Sequence, residues 1–370
     1  MYSFLFAGLS ALLSLLSMPL IIKFCKKFSL YDYQNSRKIH TGNIPRLGGI
    51  GIFFAFFTST LLWILITNDI DIKKYLPVLV SVLILFVFAL IDDLKNLPSV
   101  SKLIVQLIAV TIVTVSGNRF TQIFNWQLPV ALSYILTFFW ILGVINAYNL
   151  IDGLDGLCGS LAITASITLG VLYSISGNHE AVICFILAGA ILGFLIFNWP
   201  PAKLFMGDNG SQFLGFMIAT MPLYSSSKVY EYNKLLIMLV ITAFPVFDTI
   251  AAIWRRLREK RPIMSADRSH LHHKLLNLGY TKKTALYLID FIQILLCISA
   301  VVAYLLGTKK GSALLTESIV YMIMFFTIIH YTNRKVLLMK NAKTPQEAEK
   351  IKCPDDPVTE EEAEKEDLKK

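Results

Sequence analysis

The amino-acid sequence predicts an all-α integral membrane protein, a bundle of about eleven transmembrane helices with its N-terminus outside the cytoplasm. Of its 370 residues, 55% are hydrophobic and 16% are charged, with a mean hydropathy of +0.61, whereas soluble domains carry about 25% charged residues. Long apolar stretches recur along the chain, and most basic residues fall on one side of them. These observations exclude a soluble enzyme, a disordered chain and a disulfide scaffold.

Eleven stretches approach the length of about 20 apolar residues that a bilayer-crossing helix needs. They lie at 2–22, 48–67, 75–91, 102–116, 131–148, 157–176, 181–197, 211–227, 235–254, 286–306 and 312–330. Lys23, Lys26 and Lys27 follow the first stretch rather than precede it, and no small-residue cleavage site ends it. We therefore expect this stretch to be an anchor and not a removed signal peptide.

The connections between eleven spans alternate between two sides of the membrane, so their basic residues can be compared. One set consists of 23–47, 92–102, 149–156, 198–210, 255–285 and the segment from 331 onward. It holds 27 of the 34 Lys and Arg residues. Because basic residues near span ends remain in the cytoplasm, this set is predicted to be cytoplasmic. The chain then divides into a membrane domain, 1–330, and a charged cytoplasmic tail, 331–370.

The first predicted cytoplasmic connection combines basic residues with a glycine pair. Its candidate residues are Arg37, Lys38, His40 and Arg46. The pair Gly48 and Gly49 lets backbone approach a phosphate closely, and an arginine forks onto phosphate oxygens. Two interpretations stay open here: an anion site, or a positively charged loop that turns at the membrane surface.

The third span ends in two adjacent carboxylates, Asp92 and Asp93, where the hydrocarbon meets the cytoplasm. Burying a carboxylate there is costly unless something pairs with it, and a helix C-terminus disfavours anions. Lys102 opens the next span and is a candidate for the balancing charge or for a phosphate contact. The alternative is that both acids are simply solvated at the helix end.

The fifth span runs into polar residues at steps of three. They are Asn146, Asn149, Asp152 and Asp155. Such steps form a slowly rotating stripe on a helix, and Gly153 and Gly156 are places where the helix can break. Mg²⁺ binds carboxylate and amide oxygens and keeps several waters, so the stripe is a candidate for hard-cation ligands.

Asp208 follows the seventh span, in the glycine-rich sequence FMGDNGSQFLG that leads into the next helix. An Asp at this position suits a helix N-cap, and a helix N-terminus preceded by glycine also binds anions. With Asn149, it would supply a second oxygen ligand from a separate segment, as in a Mg²⁺ site shared with substrate. Both interpretations stay open.

The connection 255–285 holds nine basic residues and three of the six histidines. Its candidates are Arg268, His270, His272 and His273. On a helix, His270 and His273 share a face and His272 points elsewhere, so a three-histidine metal site is not expected. Imidazoles beside Arg268 suit a pyrophosphate instead.

Asp248 lies near the inner end of the ninth span, in the sequence AFPVFDT. An intramembrane carboxylate is a functional candidate by default. The alternative is a structural one, in which Asp248 merely neutralises Arg255 and Arg256 two turns further on.

Together these candidates predict one site at the cytoplasmic rim of an apolar bundle. Hard-cation ligands, a carboxylate pair and basic loops suit a reaction between a phosphorylated cytosolic molecule and one dissolved in the membrane. Phosphoryl transfer from a nucleotide donor to a lipid phosphate needs both. The basic excess therefore indicates membrane orientation and phosphate binding, and no nucleic-acid partner is expected.

Five motifs in chain order carry a family resemblance: PRLGG, DD with Lys102 after it, NAYNLIDGLDGL, FMGDNGSQFLG and DRSHLHH. They resemble those of the polyprenyl-phosphate N-acetylhexosamine-1-phosphate transferases, the glycosyltransferase 4 family, over about 1–330. The DRSHLHH form is similar to the WecA and TagO branch. One departure is YDYQNSRK, where the family usually has a Pro-Asn pair before the basic residues.

The resemblance implies a multi-pass enzyme of the bacterial inner membrane. It would transfer N-acetylglucosamine-1-phosphate from UDP-GlcNAc to undecaprenyl phosphate and release UMP, with Mg²⁺, or Mn²⁺ in its place, as cofactor. The lipid product would start a cell-envelope glycan such as O antigen, common antigen or teichoic acid. A homodimer is an assembly that the family leaves open.

The resemblance also implies residue roles. Asn149 and Asp208 would bind Mg²⁺, and Asp92 and Asp93 would lie at the lipid phosphate. The pyrophosphate would contact Lys102 and the histidine loop, whereas Asp152 and Asp155 would lie near the nucleoside and sugar. For the reaction we expect direct attack by the lipid phosphate, with Asp93 as proton acceptor or orienting group. A covalent Asp intermediate is the rival.

Two other functions are kept as alternatives. One is the MraY-like transfer of phospho-MurNAc-pentapeptide. The other is a transporter or flippase that relays protons or ions through intramembrane acids. Transport sites lie near the midplane of the membrane, whereas only three acids outside the tail, Asp248, Asp290 and Glu317, fall within the predicted spans, and they lie near the span ends, which favours the transferase.

Overall fold

The computed structural model describes residues 2–32, 43–67, 72–95, 97–224, 228–262 and 270–341. Its helices are α1 Tyr2–Lys27, α2 Gly48–Thr67, α3 Ile72–Lys95, α4 Ser99–Val115, α5 Val130–Ile151, α6 Leu157–Ile175, α7 Ala181–Asn198, α8 Gly207–Thr220, α9 Lys228–Ile241, α10 Ala243–Arg258, α11 Leu271–Asn277, α12 Lys282–Leu305 and α13 Thr308–Asn341. Two short antiparallel pairs join β1 Tyr31–Asp32 to β2 Ile44–Pro45, and β3 Gln122–Ile123 to β4 Trp126–Gln127. The prediction of an all-α membrane protein is confirmed.

Within the described residues, eight helices are long and apolar enough to cross a bilayer, and α9 with α10 makes a ninth if the bent pair is one span. Each of the eleven predicted spans overlaps a helix or this pair. The predicted span 211–227 runs past the end of α8 at Thr220, and its residues 225–227 lie outside the described residues. The exceptions in length are α4, with 17 residues, and α8, with 14. A 14-residue helix is about 21 Å long, against a hydrocarbon core of about 30 Å. The number and orientation of the spans stay predictions.

The ninth span, expected as one helix over 235–254, is instead broken at Thr242, where α9 and α10 meet at 73°. Pro245 has no amide hydrogen and its ring clashes with the carbonyl four residues earlier, so it ends a helix running through it. That carbonyl, of Ile241, accepts a hydrogen bond from Gln293 Nε2 of α12 at 2.6 Å. A distant side chain thus satisfies the backbone group that the break releases.

Helix α8 runs through the middle of the bundle. Every residue from Asn209 to Thr220 is buried, and α8 packs against α2, α3 and α5. Phe53 of α2 stacks on Phe86 of α3 with ring centroids 3.7 Å apart, and Phe213 of α8 meets Phe53 edge-on at 5.4 Å. This packing fixes the end of α8 where Asp208 lies.

One end of the bundle, called the site end below, gathers the starts of α2, α4, α6 and α8 with the ends of α3, α5 and α7. Helix α13 returns to this end and continues to Asn341, past the predicted limit of the membrane domain at 330. The remainder of the predicted tail, 342–370, lies outside the described residues, and the division at 330 stays a prediction.

Candidate active site

The centre of the site is an ammonium group held between two carboxylates. Lys102 Nζ of α4 lies 2.5 Å from Asp92 Oδ2 of α3 and 2.7 Å from Asp208 Oδ2 of α8. Asp92 is 3% exposed, and its Oδ1 accepts from the backbone N–H of Leu97 at 2.8 Å. The alternative of a solvated acid pair is therefore wrong for Asp92, and Lys102 is its balancing charge.

Asp93 points to a different partner, the N-terminus of α8. Its Oδ1 accepts from the backbone N–H of Asp208 at 3.1 Å, and its Oδ2 accepts from the backbone N–H and the side-chain Nδ2 of Asn209 at 2.9 and 2.6 Å. It is 5% exposed. A carboxylate from α3 thus caps α8 and complements the positive end of its dipole.

Asp208 itself is not an N-cap, so that interpretation is wrong. The capping position belongs to Met206, whose side chain makes no capping hydrogen bond. Asp208 lies in the first turn of α8 with its carboxylate on Lys102, and the two side chains are 33% and 29% exposed. The pair is therefore accessible to a ligand at the site end.

The glycine pair of the first connection has a packing role in the structure. Gly48 and Gly49 donate their N–H groups to the carbonyls of Phe205 and Met206, both at 2.9 Å. A Cβ at Gly49 would collide with Asn209 Oδ1. These two amides are thus committed to protein carbonyls, which corrects the interpretation that they bind an anion.

Arg46 lies beside this pairing and donates from Nη2 to the backbone carbonyl of Asp93. It therefore ties the first connection to the end of α3. Its predicted role in substrate binding stays a prediction.

The polar stripe of α5 is shorter than expected. Helix α5 ends at Ile151, so only Asn146 and Asn149 lie on it, and Asp152 is its C-cap. Asn146 donates from Nδ2 to Gln106 Oε1 at 2.9 Å, and Gln106 donates to Gln212 Oε1 at 3.1 Å. This chain of amides joins α5 to α4 and α8, one helical turn from Lys102 and Asp208. Asn149 lies one turn closer to the site end.

The connection from α5 to α6 is fixed by the end of α7. Asp155 Oδ2 accepts from the backbone N–H of Ala202 at 3.1 Å. Asn198 Oδ1 accepts from the N–H of Gly156, which has a φ of 80° as the N-cap of α6. Asp152 and Asp155 are both half-buried at the site end.

The histidine segment meets this connection through His272. His270 is extended and forms the N-cap of α11, so the helical arrangement considered for His270 to His273 does not include His270. His272 is buried, and a Cβ at Gly153 would lie 2.7 Å from its Nε2. Its ring contacts that of His273, with centroids 4.3 Å apart. Burial, and then the like charges of His273 and His270, lower the pKa of His272 to about 3, so the ring is neutral at physiological pH.

Asp248 is the partner of the histidine segment. Its Oδ2 lies 2.8 Å from His270 Nδ1, and its Oδ1 accepts from the backbone N–H of Leu271 at 2.8 Å. It is 3% exposed. Asp248 therefore positions His270 and the first turn of α11. The alternative, in which Asp248 merely neutralises Arg255 and Arg256, does not account for these two contacts.

Four candidates fall outside the described residues. They are Arg37, Lys38, His40 and Arg268. Three other residues at the site were missed: Gln106, Asn209 and Gln212. Gln106 and Gln212 lie four residues after Lys102 and Asp208, on the same helix faces, which is the signal that could have identified them.

The site can be tested for the fit of a divalent cation. In the part of the chain that the structure describes, no three His, Cys, Asp or Glu side chains form a metal-binding group. Mg²⁺, however, is bound by one or two carboxylates together with waters and substrate phosphates. Asp208 already turns an oxygen toward the positive charge of Lys102, and Asn149 lies at the same end of the bundle, so a carboxylate and an amide oxygen of the kind that Mg²⁺ accepts are both present at the site end.

The comparison with known proteins identifies the family of this chain. The model for "Glycosyl transferase family 4" matches residues 75–226, which include Asp92, Lys102, Asn149 and Asp208. A Bacillus subtilis protein named probable undecaprenyl-phosphate N-acetylglucosaminyl 1-phosphate transferase is 32% identical over 325 residues, 86% of this chain and 88% of the relative. The chain belongs to glycosyl transferase family 4.

Other relatives match somewhat less of the chain. The undecaprenyl-phosphate alpha-N-acetylglucosaminyl 1-phosphate transferase of Yersinia pestis is 31% identical, covering 75% of this chain and 77% of its own. The decaprenyl-phosphate N-acetylglucosaminephosphotransferase of Mycolicibacterium smegmatis is 30% identical, covering 71% and 72%. The family assignment and the apolar helices make this chain a multi-pass membrane protein of that family.

Proposed function

We propose that this chain transfers N-acetylglucosamine-1-phosphate from UDP-GlcNAc to undecaprenyl phosphate and releases UMP. The observation that carries the proposal is the Lys102 ammonium between Asp92 and Asp208, at the end of an apolar bundle. A lipid phosphate reaches such a site from the bilayer, and a nucleotide diphosphate reaches it from water. The names of the relatives support the same acceptor and the same transferred sugar phosphate.

The reaction is one phosphoryl transfer. An oxygen of the lipid phosphate attacks the β-phosphorus of UDP-GlcNAc, the bond from that phosphorus to the bridging oxygen breaks, and UMP leaves with that oxygen. The bond between the sugar and its phosphate is untouched, so the sugar keeps its α configuration. Because one phosphoanhydride replaces another, we expect the reaction to be reversible.

The residues of the chain have separate tasks in this proposal. Lys102 offers its charge to the phosphates, since electrostatic stabilisation and positioning dominate phosphoryl transfer. Asp93 acts as the orienting group, because three N–H donors already engage its two oxygens. The same engagement argues against Asp93 as a covalent nucleophile. For His270 and His272 we propose a role at the nucleotide, supported by the contact of His272 with Gly153 in the connection from α5 to α6.

Asp208 and Asn149 are the proposed ligands of Mg²⁺, with Mn²⁺ as a substitute. When bound, the cation would neutralise the diphosphate and stabilise the leaving nucleotide oxygen. Because Asp208 is ion-paired with Lys102, a divalent cation competes with that pair. We further propose that the enzyme lies in the inner membrane, that its product starts a cell-envelope glycan, and that it forms a homodimer.

A donor panel tests the proposed substrate. The purified protein would be incubated with undecaprenyl phosphate, Mg²⁺ and one of three nucleotides labelled in the sugar: UDP-GlcNAc, UDP-GalNAc or the muramoyl-pentapeptide nucleotide. We expect label in the organic phase with UDP-GlcNAc and an equal amount of UMP in water. Transfer from the muramoyl-pentapeptide nucleotide alone would establish the MraY-like alternative instead.

The transporter alternative has less support, because the acids within the spans have partners. Asp290 accepts from Ser160 Oγ at 2.7 Å, Glu317 accepts from Tyr321 at 2.8 Å, and Asp248 binds the histidine segment. Protein in sealed vesicles that moves label across the membrane without forming a lipid-linked sugar would establish transport.

A further inference from the structure

A cavity lies at the site end, outside the candidate active site. It has a volume of about 640 Å³ and lies between the last turns of α10 and the part of α13 from Phe326 to Leu338, with α11 contributing Lys274. None of the residues that line it is among the predicted site residues. The cavity is therefore separate from the candidate active site, and a molecule bound in it would not be one of the reacting groups.

The lining is strongly basic. Arg255, Arg258, Lys274 and Arg334 bring four cations to the cavity, and Glu259 is the one acid among the described lining residues. Lys274 is only 3% exposed, so its charge acts in a medium of low dielectric constant, where attraction to an anion is stronger than in water. The chemistry favours an anionic ligand, and arginine favours phosphate oxygens in particular.

A buried amide adds a second polar feature. Asn333 of α13 lines the cavity and is 7% exposed. Its Oδ1 accepts no hydrogen bond within the part of the chain that the structure describes. A buried acceptor without a partner is costly, and a ligand that carries a hydroxyl group beside its phosphate would satisfy it.

The surroundings of the cavity favour a lipid over a soluble anion. On α10, Trp254 lines the cavity and is 71% exposed, and Ile250, one turn before it, is also exposed. On α13, Met324 and Ile328 continue the exposed apolar surface away from the site end. Tryptophan is enriched where a membrane meets water. The cavity thus joins a basic, polar chamber to apolar helix faces of the kind that acyl chains cover.

We propose that this cavity binds the headgroup of an anionic phospholipid, with phosphatidylglycerol as the chemical type. The phosphate lies among Arg255, Arg258 and Arg334, a glycerol hydroxyl donates to Asn333 Oδ1, and the acyl chains lie along α10 and α13. Basic pockets between helices on the cytoplasmic side of membranes bind such headgroups. The site is distinct from that of the reacting lipid, and it does not depend on the proposed function.

Fluorescence quenching tests the proposal directly, because Trp254 reports on the cavity. The full chain in neutral detergent would be titrated with brominated phosphatidylglycerol or brominated phosphatidylcholine, and the Trp254 signal would be isolated as the difference from Trp254→Phe. We expect saturable quenching by phosphatidylglycerol at concentrations at least tenfold lower than by phosphatidylcholine. Equal quenching by the two lipids would overturn the proposal.

Variants then locate the binding. The double variant Arg255→Gln with Arg258→Gln should weaken phosphatidylglycerol binding at least tenfold. The matched control, Lys282→Gln with Lys283→Gln, removes two charges from the same end of the bundle but outside the cavity, and should change binding less than twofold. Equal losses in both double variants would mean general charge attraction and would contradict a built site.

Two further measurements complete the test. Native mass spectrometry of the wild-type protein, which depends on no variant, should retain phosphatidylglycerol in preference to phosphatidylcholine; retention of neither lipid would overturn the proposal. Undecaprenyl phosphate should not displace the quencher at equal concentration. If it does, the cavity belongs to the acceptor path and the phospholipid assignment is wrong.

Discussion

Replacing Asp93 with asparagine tests the inference that this carboxylate holds the start of α8 in place. The substitution keeps the size of the side chain but changes one accepting oxygen into a donating NH₂ group. In the wild-type protein two donors from Asn209 reach Oδ2, and the N–H of Asp208 reaches Oδ1. An amide with its oxygen at the Oδ2 position keeps the first two and loses the third.

The magnitude follows from that lost bond. A hydrogen bond to a charged group contributes about 1.5–3 kcal/mol, and a tenfold change in rate corresponds to about 1.4 kcal/mol. The NH₂ group also faces the N–H of Asp208, which displaces the residue that carries the Lys102 ion pair. We therefore expect kcat to fall roughly ten- to a hundredfold, with the KM for UDP-GlcNAc within about threefold of wild type.

The assay is transfer of labelled GlcNAc-1-phosphate to undecaprenyl phosphate in detergent, measured from pH 5 to pH 9. The control is Asp290→Asn, a carboxylate-to-amide change of equal size on α12 that leaves an oxygen to accept from Ser160. It should remain near wild-type activity. A fully active Asp93→Asn enzyme would refute the reasoning. Loss of the ascending limb of the pH profile in Asp93→Asn would show a proton acceptor instead of an orienting group.

Three further predictions concern the histidine segment. Asp248→Asn should lower kcat/KM roughly tenfold by loosening His270, since a charge-assisted hydrogen bond contributes about 1.5–3 kcal/mol; unchanged kinetics would show that this contact has no role. Because the pKa of His272 is lowered to about 3, the neutral ring contributes fully to the stability of the folded protein above pH 6.5. This contribution is lost as the pH falls toward 3. By pH 5 the loss is about 2 kcal/mol. The free energy of unfolding in detergent should therefore depend less on pH in His272→Asn than in wild type, and the same pH dependence in the two proteins would contradict this. Gly153→Ala should reduce activity because the new Cβ would lie 2.7 Å from His272 Nε2, whereas Gly143→Ala, with nothing within 4 Å, should not; equal activities of the two would argue against the contact.

The apolar runs of the sequence predicted the positions of the helices well, because burial in lipid demands them. The break between α9 and α10 was missed although Pro245 is visible in the sequence. A proline near a helix start is tolerated, and what makes the break stable is Gln293, which lies in another helix. Local sequence does not reveal a partner that only the tertiary fold supplies.

The same limit applies to the carboxylates. The sequence predicts a functional role for the adjacent pair Asp92 and Asp93, but two neighbouring residues on a helix point about 100° apart, and the sequence does not show which partner each one contacts. In the structure, Asp92 pairs with Lys102, whereas Asp93 accepts hydrogen bonds from the start of α8. Likewise, Asp248 and His270 are 22 residues apart, and their contact depends on how α10 and α11 fold together.

The most direct test of the central claim is isotope exchange between UMP and UDP-GlcNAc. Purified protein would be given labelled UMP, unlabelled UDP-GlcNAc and Mg²⁺, with and without undecaprenyl phosphate. Direct attack by the lipid phosphate predicts that label enters UDP-GlcNAc only when the lipid is present. Exchange without the lipid would contradict direct attack and indicate a covalent intermediate, and no exchange under either condition would contradict the transferase itself.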